Sequence, residues 1–135
     1  MASRLFYPAE GALEARVVDL FCSITIGGTG TVSSFDGLGF ADVTKESADG
    51  QYTLELQDSY PALLAATMTL LDDTDSNPAS VGCLMRVQSE DVDASGGTPE
   101  IVIQAFTSDD GADANPASGA VLLVHLKLRN STLRS

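Results

Sequence analysis

The segment "DDTDSN" places Asp72, Asp73, Asp75 and Asn77 close together, and their alternating oxygen donors resemble the opening of a calcium loop. A hard cation needs several such oxygens converging on one point. An EF-hand loop begun at Asp73 would need glycine at its sixth position and glutamate at its twelfth; the chain has Pro78 and Leu84 there. The segment therefore reads as a solvated turn, and "DDGADAN" reads the same way for want of spaced ligands. "GGTGT" has the glycines of a phosphate cradle but no following Lys-Ser/Thr and no helix to supply a dipole, so it reads as a hairpin turn. His125 is the single histidine, and any Ser-His-Asp or Cys-His site would have to use it. It falls in mid-strand between Leu123 and Lys127, and no G-x-S-x-G elbow accompanies it. No residue is assigned to catalysis, to a cofactor or to a metal, and the chain reads as non-enzymatic.

Two further groups invite a reading. Cys22 and Cys83 are one pair, which cannot make a four-ligand zinc site, and both fall in predicted strands with apolar neighbours. They read as buried, reduced thiols; a disulfide would require their α-carbons within about 7 Å. His125, Lys127 and Arg129 form a basic stripe in a chain of net charge −12. The stripe can pair across strands with the chain's own Asp or Glu. It can equally meet an acidic patch on a neighbouring copy and fix its orientation.

The acidic balance opposes phosphate backbones and anionic membrane surfaces, so neither nucleic acid nor membrane is expected as a partner. The opening "MASRLFYPAEGALEARVV" has no continuous apolar stretch of the kind a secretory leader needs. The longest apolar run, "PALLAATMTLL", is far shorter than the ~20 residues of a spanning helix. The expectation is a protein made and used in solution.

The elements that must position these groups are strands. A length of 135 residues suits one domain, able to bury roughly 65–70% of its unfolded surface. Residues 1–14, with Pro8 and Gly11, read as an extended arm; Leu5, Phe6, Tyr7 and Pro8 are expected to pack on the domain or on a neighbour, since full burial is worth about 1.5–3 kcal/mol for each large apolar side chain. Residues 15–135 read as a single β-domain. In "ARVVDLFCSITI", Val18, Leu20, Cys22, Ile24 and Ile26 share one face, and Val17, Asp19, Phe21, Ser23 and Thr25 the other. "SSFDGLGF" is broken by Gly37 and Gly39, and a short strand follows over Phe40 to Thr44. "SADG" predicts a tight hairpin with Asp49-Gly50 as its positive-φ pair. "QYTLELQ" then alternates, with Tyr52, Leu54 and Leu56 inward and Gln51, Thr53, Glu55 and Gln57 outward.

In "DSYPALL", Asp58 and Ser59 suit a turn, Pro61 fixes its own φ, and Tyr60 is expected to pack its ring and offer its hydroxyl to a backbone partner. Pro61 to Leu71 is compatible with a helix, but a turn over Asp58 to Leu63 and a strand through "ATMTLLDD" fit better. Both faces of that strand are mostly apolar, which places it deep or against another subunit. "VGCLMRVQS", "EIVIQAFT" and "AVLLVHLKLR" are strands. The last puts Ala120, Leu122, Val124, Leu126 and Leu128 inward. "SDDGADANPASG" reads as a mobile exposed tip. About seven strands joined by turn signals make the class all-β: a compact antiparallel sandwich or barrel with an extended N-terminal arm.

The stretch "GLGFADVTKESADGQYTLELQDSYPALL" carries a resemblance to small virion structural proteins of tailed bacteriophages, of the capsid decoration or cement type. Its pattern is Gly37, Gly39, Phe40, Ala41, Val43 and Thr44, then Gly50, Tyr52, Thr53 and Leu56, then Asp58, Tyr60, Leu63 and Leu64. Tyr7 with Pro8 and the strand "VVDLFCSITIGGTG" are in keeping, and the resemblance stops near Asp72. It implies a protein on the outer capsid surface of the virion that bridges neighbouring subunits of the major capsid protein, self-associating as a trimer or dimer. The arm (Leu5, Phe6, Tyr7, Pro8) and the stripe (His125, Lys127, Arg129) are its expected contacts. A tail-tube, head-to-tail joining or fibre-base subunit is the alternative role. The group offers no catalytic residues to carry over.

Overall fold

The computed structural model describes residues 17–71, 83–107 and 110–130. Within them run eight strands: β1 (Val17–Ile26), β2 (Val32–Asp36), β3 (Phe40–Lys45), β4 (Gln51–Leu56), β5 (Ala62–Leu71), β6 (Cys83–Asp91), β7 (Glu100–Thr107) and β8 (Val121–Arg129). They form two four-stranded antiparallel sheets, ordered β2-β1-β8-β5 and β3-β4-β7-β6. The chain crosses between the sheets after β2, β4, β5 and β7, which makes the sandwich expected from the strand count. The arm residues Leu5, Phe6, Tyr7 and Pro8 and the segment "DDTDSN" lie outside the described residues.

The period-two strands bury the face their pattern selects. Leu20, Cys22, Ile24 and Ile26 of β1 meet Leu122, Val124, Leu126 and Leu128 of β8 on the inner side of the first sheet. Tyr52, Leu54, Leu56, Ile101 and Ile103 close the core from the second. Tyr52 and Ile103 are opposite one another in register, as are Leu54 and Ile101, so large side chains fill the space that tryptophan would otherwise take. Branched and aromatic side chains at alternate positions suit a pleated, half-buried surface.

Five expectations are corrected. The stretch "VSSFD", whose surroundings read as broken by glycines, is β2, which pairs antiparallel with β1 across the Gly28–Gly30 turn. Its alternation is hidden because Val32 and Phe35, the two residues that pack against the core, are three apart. The strand in "PALLAATMTLL" begins at Ala62, and it is not deep: β5 is an edge strand, with Leu64 43% and Leu71 51% exposed. The β3–β4 connection is longer than a two-residue turn. It runs from Glu46 to Gly50, and of Asp49 and Gly50 only the glycine has positive φ. Tyr60 is buried and its amide donates to the Val92 carbonyl at 2.7 Å, as a packed joint requires, but its hydroxyl bonds to none of the described residues.

The fifth concerns the segment read as a mobile exposed tip, of which residues 110–113 are exposed but the rest of the described part does not stand clear of the domain. Its described part folds back: Asp113 bridges to Phe106, the Ala114 amide donates to Ala105 O at 3.2 Å, and Pro116 is buried. There Asn115 ties this segment to the β3–β4 turn. Its Oδ1 accepts from the Gly50 amide at 2.7 Å, and its Nδ2 donates to Asp49 Oδ1 at 3.1 Å. The buried Gln104 donates through Nε2 to Asp49 O at 2.7 Å and to Ala105 O at 2.8 Å. Tyr52 reaches through the core to donate its hydroxyl to Gly30 O at 2.6 Å. Buried polar groups are tolerated when bonded, and these bonds join three connections far apart in sequence.

Cys22 and Cys83 are both thiols, Cys22 in the core and Cys83 half-buried with its Sγ 3.9 Å from Asn115 O. Burial, and secondarily the nearby Asp36 carboxylate, push the Cys22 thiol up to about 11. Burial, then the Cys83 charge, push Tyr52 up to about 12. The folded state therefore holds both protons more tightly than the unfolded chain. The stabilisation is complete below about pH 9, is lost for Cys22 between about 9 and 11, and for Tyr52 between about 10 and 12. We expect Cys22 to be alkylated by iodoacetamide at pH 8 about 100-fold more slowly than an ordinary thiol, and faster once urea unfolds the chain. Mass spectrometry of the peptide reads this; equal rates in native and unfolded protein would contradict the burial.

A candidate contact face on the first sheet

The outer face of the first sheet is assembled from β1, β8 and β5 in register. One row sets Val17, Arg129 and Ala62 side by side, the next pairs Asp19 with Lys127 and Ala65, and the third places Phe21, His125 and Thr67 in line. Beyond it, Ser23, Leu123 and Thr69 form a fourth row, with Asp36 of β2 beside Ser23. Each of these side chains is outward because its neighbours in sequence are committed to the core.

Phe21 is the most exposed large apolar side chain of this face, at 63%. Its ring stacks on His125 with centroids 4.4 Å apart and planes 11° from parallel. His125 Nε2 in turn donates to Asp19 Oδ1 at 2.9 Å, and Lys127 Nζ lies 3.9 Å from the same oxygen. Of the two pairings open to the basic stripe, His125 and Lys127 thus make the one with a carboxylate of their own chain. Arg129 pairs with no carboxylate among the described residues. Exposed pairs of this kind contribute about 0–1 kcal/mol, so Asp19 orients the His125 ring and the Lys127 side chain more than it stabilises the fold.

Phe21, Thr67, Thr69, Leu123 and His125 rim a shallow, mostly apolar cleft of about 280 Å³. Cys22 and Val124 form its floor from the other side of the pleat, and Asp36 sits at one wall. His125 and Asp19 have the geometry of a base and its orienting carboxylate. The ring's face is covered by Phe21, and no hydrogen bond joins it to a serine or cysteine of the described residues. The arrangement is an aromatic platform with a charged margin, suited to packing against another surface.

The second sheet presents the opposite character. Register places Asp42 opposite Glu55, Glu55 opposite Glu100, and Glu100 opposite Asp91, a row of carboxylates across all four strands. At about 4.8 Å per strand the row spans roughly 14 Å. Like charges directly opposite destabilise a sheet, and no Lys or Arg forms an ion pair with this row among the described residues. Thr53, expected outward, is outward but covered, donating to Glu46 Oε1 at 2.7 Å beside the row. No group of three or more described His, Cys, Asp or Glu side chains converges as metal ligands.

Phe21 was legible as an outward residue of β1; its aromatic bulk on a polar face was the available signal. Asp19 as the partner of His125, 106 residues away, and the carboxylate row were not legible, because each depends on which strands become neighbours.

Fold and face together define a β-sandwich with one aromatic, cation-edged surface and one acidic surface. Compared with protein-family models, with curated proteins and with solved structures, the chain matches none. No helix among the described residues is long and apolar enough to cross a membrane.

Proposed function

We propose that this chain is a non-enzymatic virion structural protein that decorates a bacteriophage capsid and cements it by bridging neighbouring capsid subunits. The observation that carries the reading is the outer face of the first sheet, where the exposed Phe21 stacks on His125 between the rows of Leu123 and Lys127, with Arg129 one row further along. Aromatic and arginine side chains are over-represented among the residues that dominate protein–protein contacts. The resemblance in residues 37–64 supplies the class of partner. The acidic second sheet suits the solvent side, where like charge keeps particles apart. A shell clamp needs no strong single contact, since contacts repeated over adjoining subunits add through effective concentration.

The test is a cryo-EM map of virions carrying this chain, with copies counted against the major capsid protein. About one copy per capsid subunit on the outer surface supports the reading; a dozen or fewer copies at one vertex would assign the protein to the tail side instead. Phe21→Ala is expected to leave the thermal unfolding midpoint nearly unchanged, because the ring is mostly in solvent, and to lower capsid occupancy at limiting protein by 10-fold or more, roughly the loss of one aromatic anchor. Unaltered occupancy in this variant would remove the face from the contact.

A further inference from the structure

We infer that the free edge of β5 is a self-pairing edge, at which two copies join their first sheets into one continuous antiparallel sheet. The inference deepens the self-association that the resemblance implies, rests on the proposed virion role only for that expectation, and needs no capsid.

A two-sheet sandwich has four edge strands, here β2, β5, β3 and β6. Three of them are protected in the ways that natural sheets use. β2 is five residues long and ends on Asp36. β3 has an irregularity at Ala41 and carries Asp42 and Lys45. β6 is interrupted at Gln88 and carries Arg86, Glu90 and Asp91. β5 is guarded only at its start, by Pro61 and by the bulge at Leu64. From Ala65 to Leu71, "AATMTLL" is an uninterrupted strand with no charge, no proline and no bulge. Its one strand neighbour is β8, so every second backbone N–H and C=O points away from the sheet, and none bonds elsewhere among the described residues. The apolar run that sequence placed "deep or against another subunit" is not deep, and among the described residues nothing pairs with its outer edge, which favours the second alternative.

The occupant is a second copy because this segment is complementary to itself. Antiparallel pairing about a two-fold axis at Met68 sets Ala65 opposite the partner's Leu71, Ala66 opposite the partner's Leu70, and Thr67 opposite the partner's Thr69. Small faces large at each apolar step, and threonine faces threonine, a favourable cross-strand pair. On the inner side, Ala66, Met68 and Leu70 are only half-buried, and on the outer side Leu71 is 51% exposed, so both sides gain cover. No like charges meet at the seam, although the whole chain carries −12. The contact is isologous, so it closes as a dimer and does not propagate.

The register makes the test specific. Thr67 and Thr69 are both exposed, so charged side chains there are compatible with the monomer. Sedimentation equilibrium of the full chain at about 100 µM should give twice the 14.0 kDa chain mass for the wild type. T67K/T69K sets like charges opposite across the axis and should dissociate it at least 10-fold more readily. T67K/T69E sets lysine opposite glutamate twice and should restore the dimer, which also shows that charge at these positions does not unfold the chain. A monomeric wild type, a T67K/T69K variant as dimeric as wild type, or a T67K/T69E variant no better than T67K/T69K would each overturn the inference. A monomer found at about one copy per capsid subunit would overturn it while leaving decoration intact; a dimer absent from capsids would do the reverse.

Discussion

Gly50→Ala is expected to destabilise the protein by on the order of 4 kcal/mol or more, a large share of the ~5–15 kcal/mol typical of a domain. A methyl group at Gly50 would lie 2.1 Å from Ala114 O and 2.8 Å from Ala105 O, and both of those atoms are backbone. Neither can swing aside as a side chain would. Gly50 also has φ +71°, a conformation that costs an L-residue roughly 1–2 kcal/mol. Relief requires the Asn115 segment to lift, which breaks the Gly50 N–H bond to Asn115 Oδ1 and disturbs the bond from Ala105 N to Gly50 O. Urea unfolding at pH 7 measures the change. Gly96 is the control: it has φ +98° but open space around the added methyl, so Gly96→Ala should show the conformational cost alone. Equal losses for the two variants would mean that the contact between the Gly50 turn and the Asn115 segment carries no weight.

Leu126→Ala should cost about 3–5 kcal/mol, whereas Leu123→Ala, three residues away on the same strand, should cost about 1 kcal/mol or less. Leu126 has no exposed surface and stands between Leu20 and Ala66 in register, so its removal leaves a cavity walled by both neighbouring strands. Leu123 is 39% exposed on the outer face, where water takes the vacated space. The same pair separates stability from contact: Leu123→Ala alters the platform beside Phe21 without weakening the core. Similar midpoints for the two variants in a denaturant titration would contradict the assignment of inner and outer faces on β8.

The strands that could be read directly are those whose one face is fully committed. β1, β4 and β8 alternate over many residues, and the apolar sets grouped on one face of them are the buried sets, except that Val18 is half-buried and Thr53, expected outward, is covered. β2 escaped because five residues with two serines give no run long enough to show a period. The turn at Asp49-Gly50 was placed correctly and typed wrongly, since the loop geometry is set by Asn115, 65 residues further along. The "SDDGADANPASG" segment looks like a solvated tip by composition; its small residues instead let it pass close beneath two turns, as the short distances around Gly30 and Gly50 attest.

The candidate face shows the same division. That His125, Lys127 and Arg129 share one side of a strand was legible, as was the outward position of Asp19 and Phe21. That His125 stacks on Phe21 and bonds Asp19 followed only from β1 lying beside β8. The carboxylate row required three separate registers to align, and the unguarded edge of β5 required knowing which strands come last in each sheet.

By itself the sequence determined that this is an all-β chain, which face of most strands is apolar, and that its surface is acidic. These are properties of neighbours along the chain, written in a two-residue period that no packing can change. Tertiary structure alone decided which strands adjoin, and so which outward side chains meet and which edge stays open. Strand order is chosen by non-local contacts when the apolar faces close on one another, and many orders would bury the same residues.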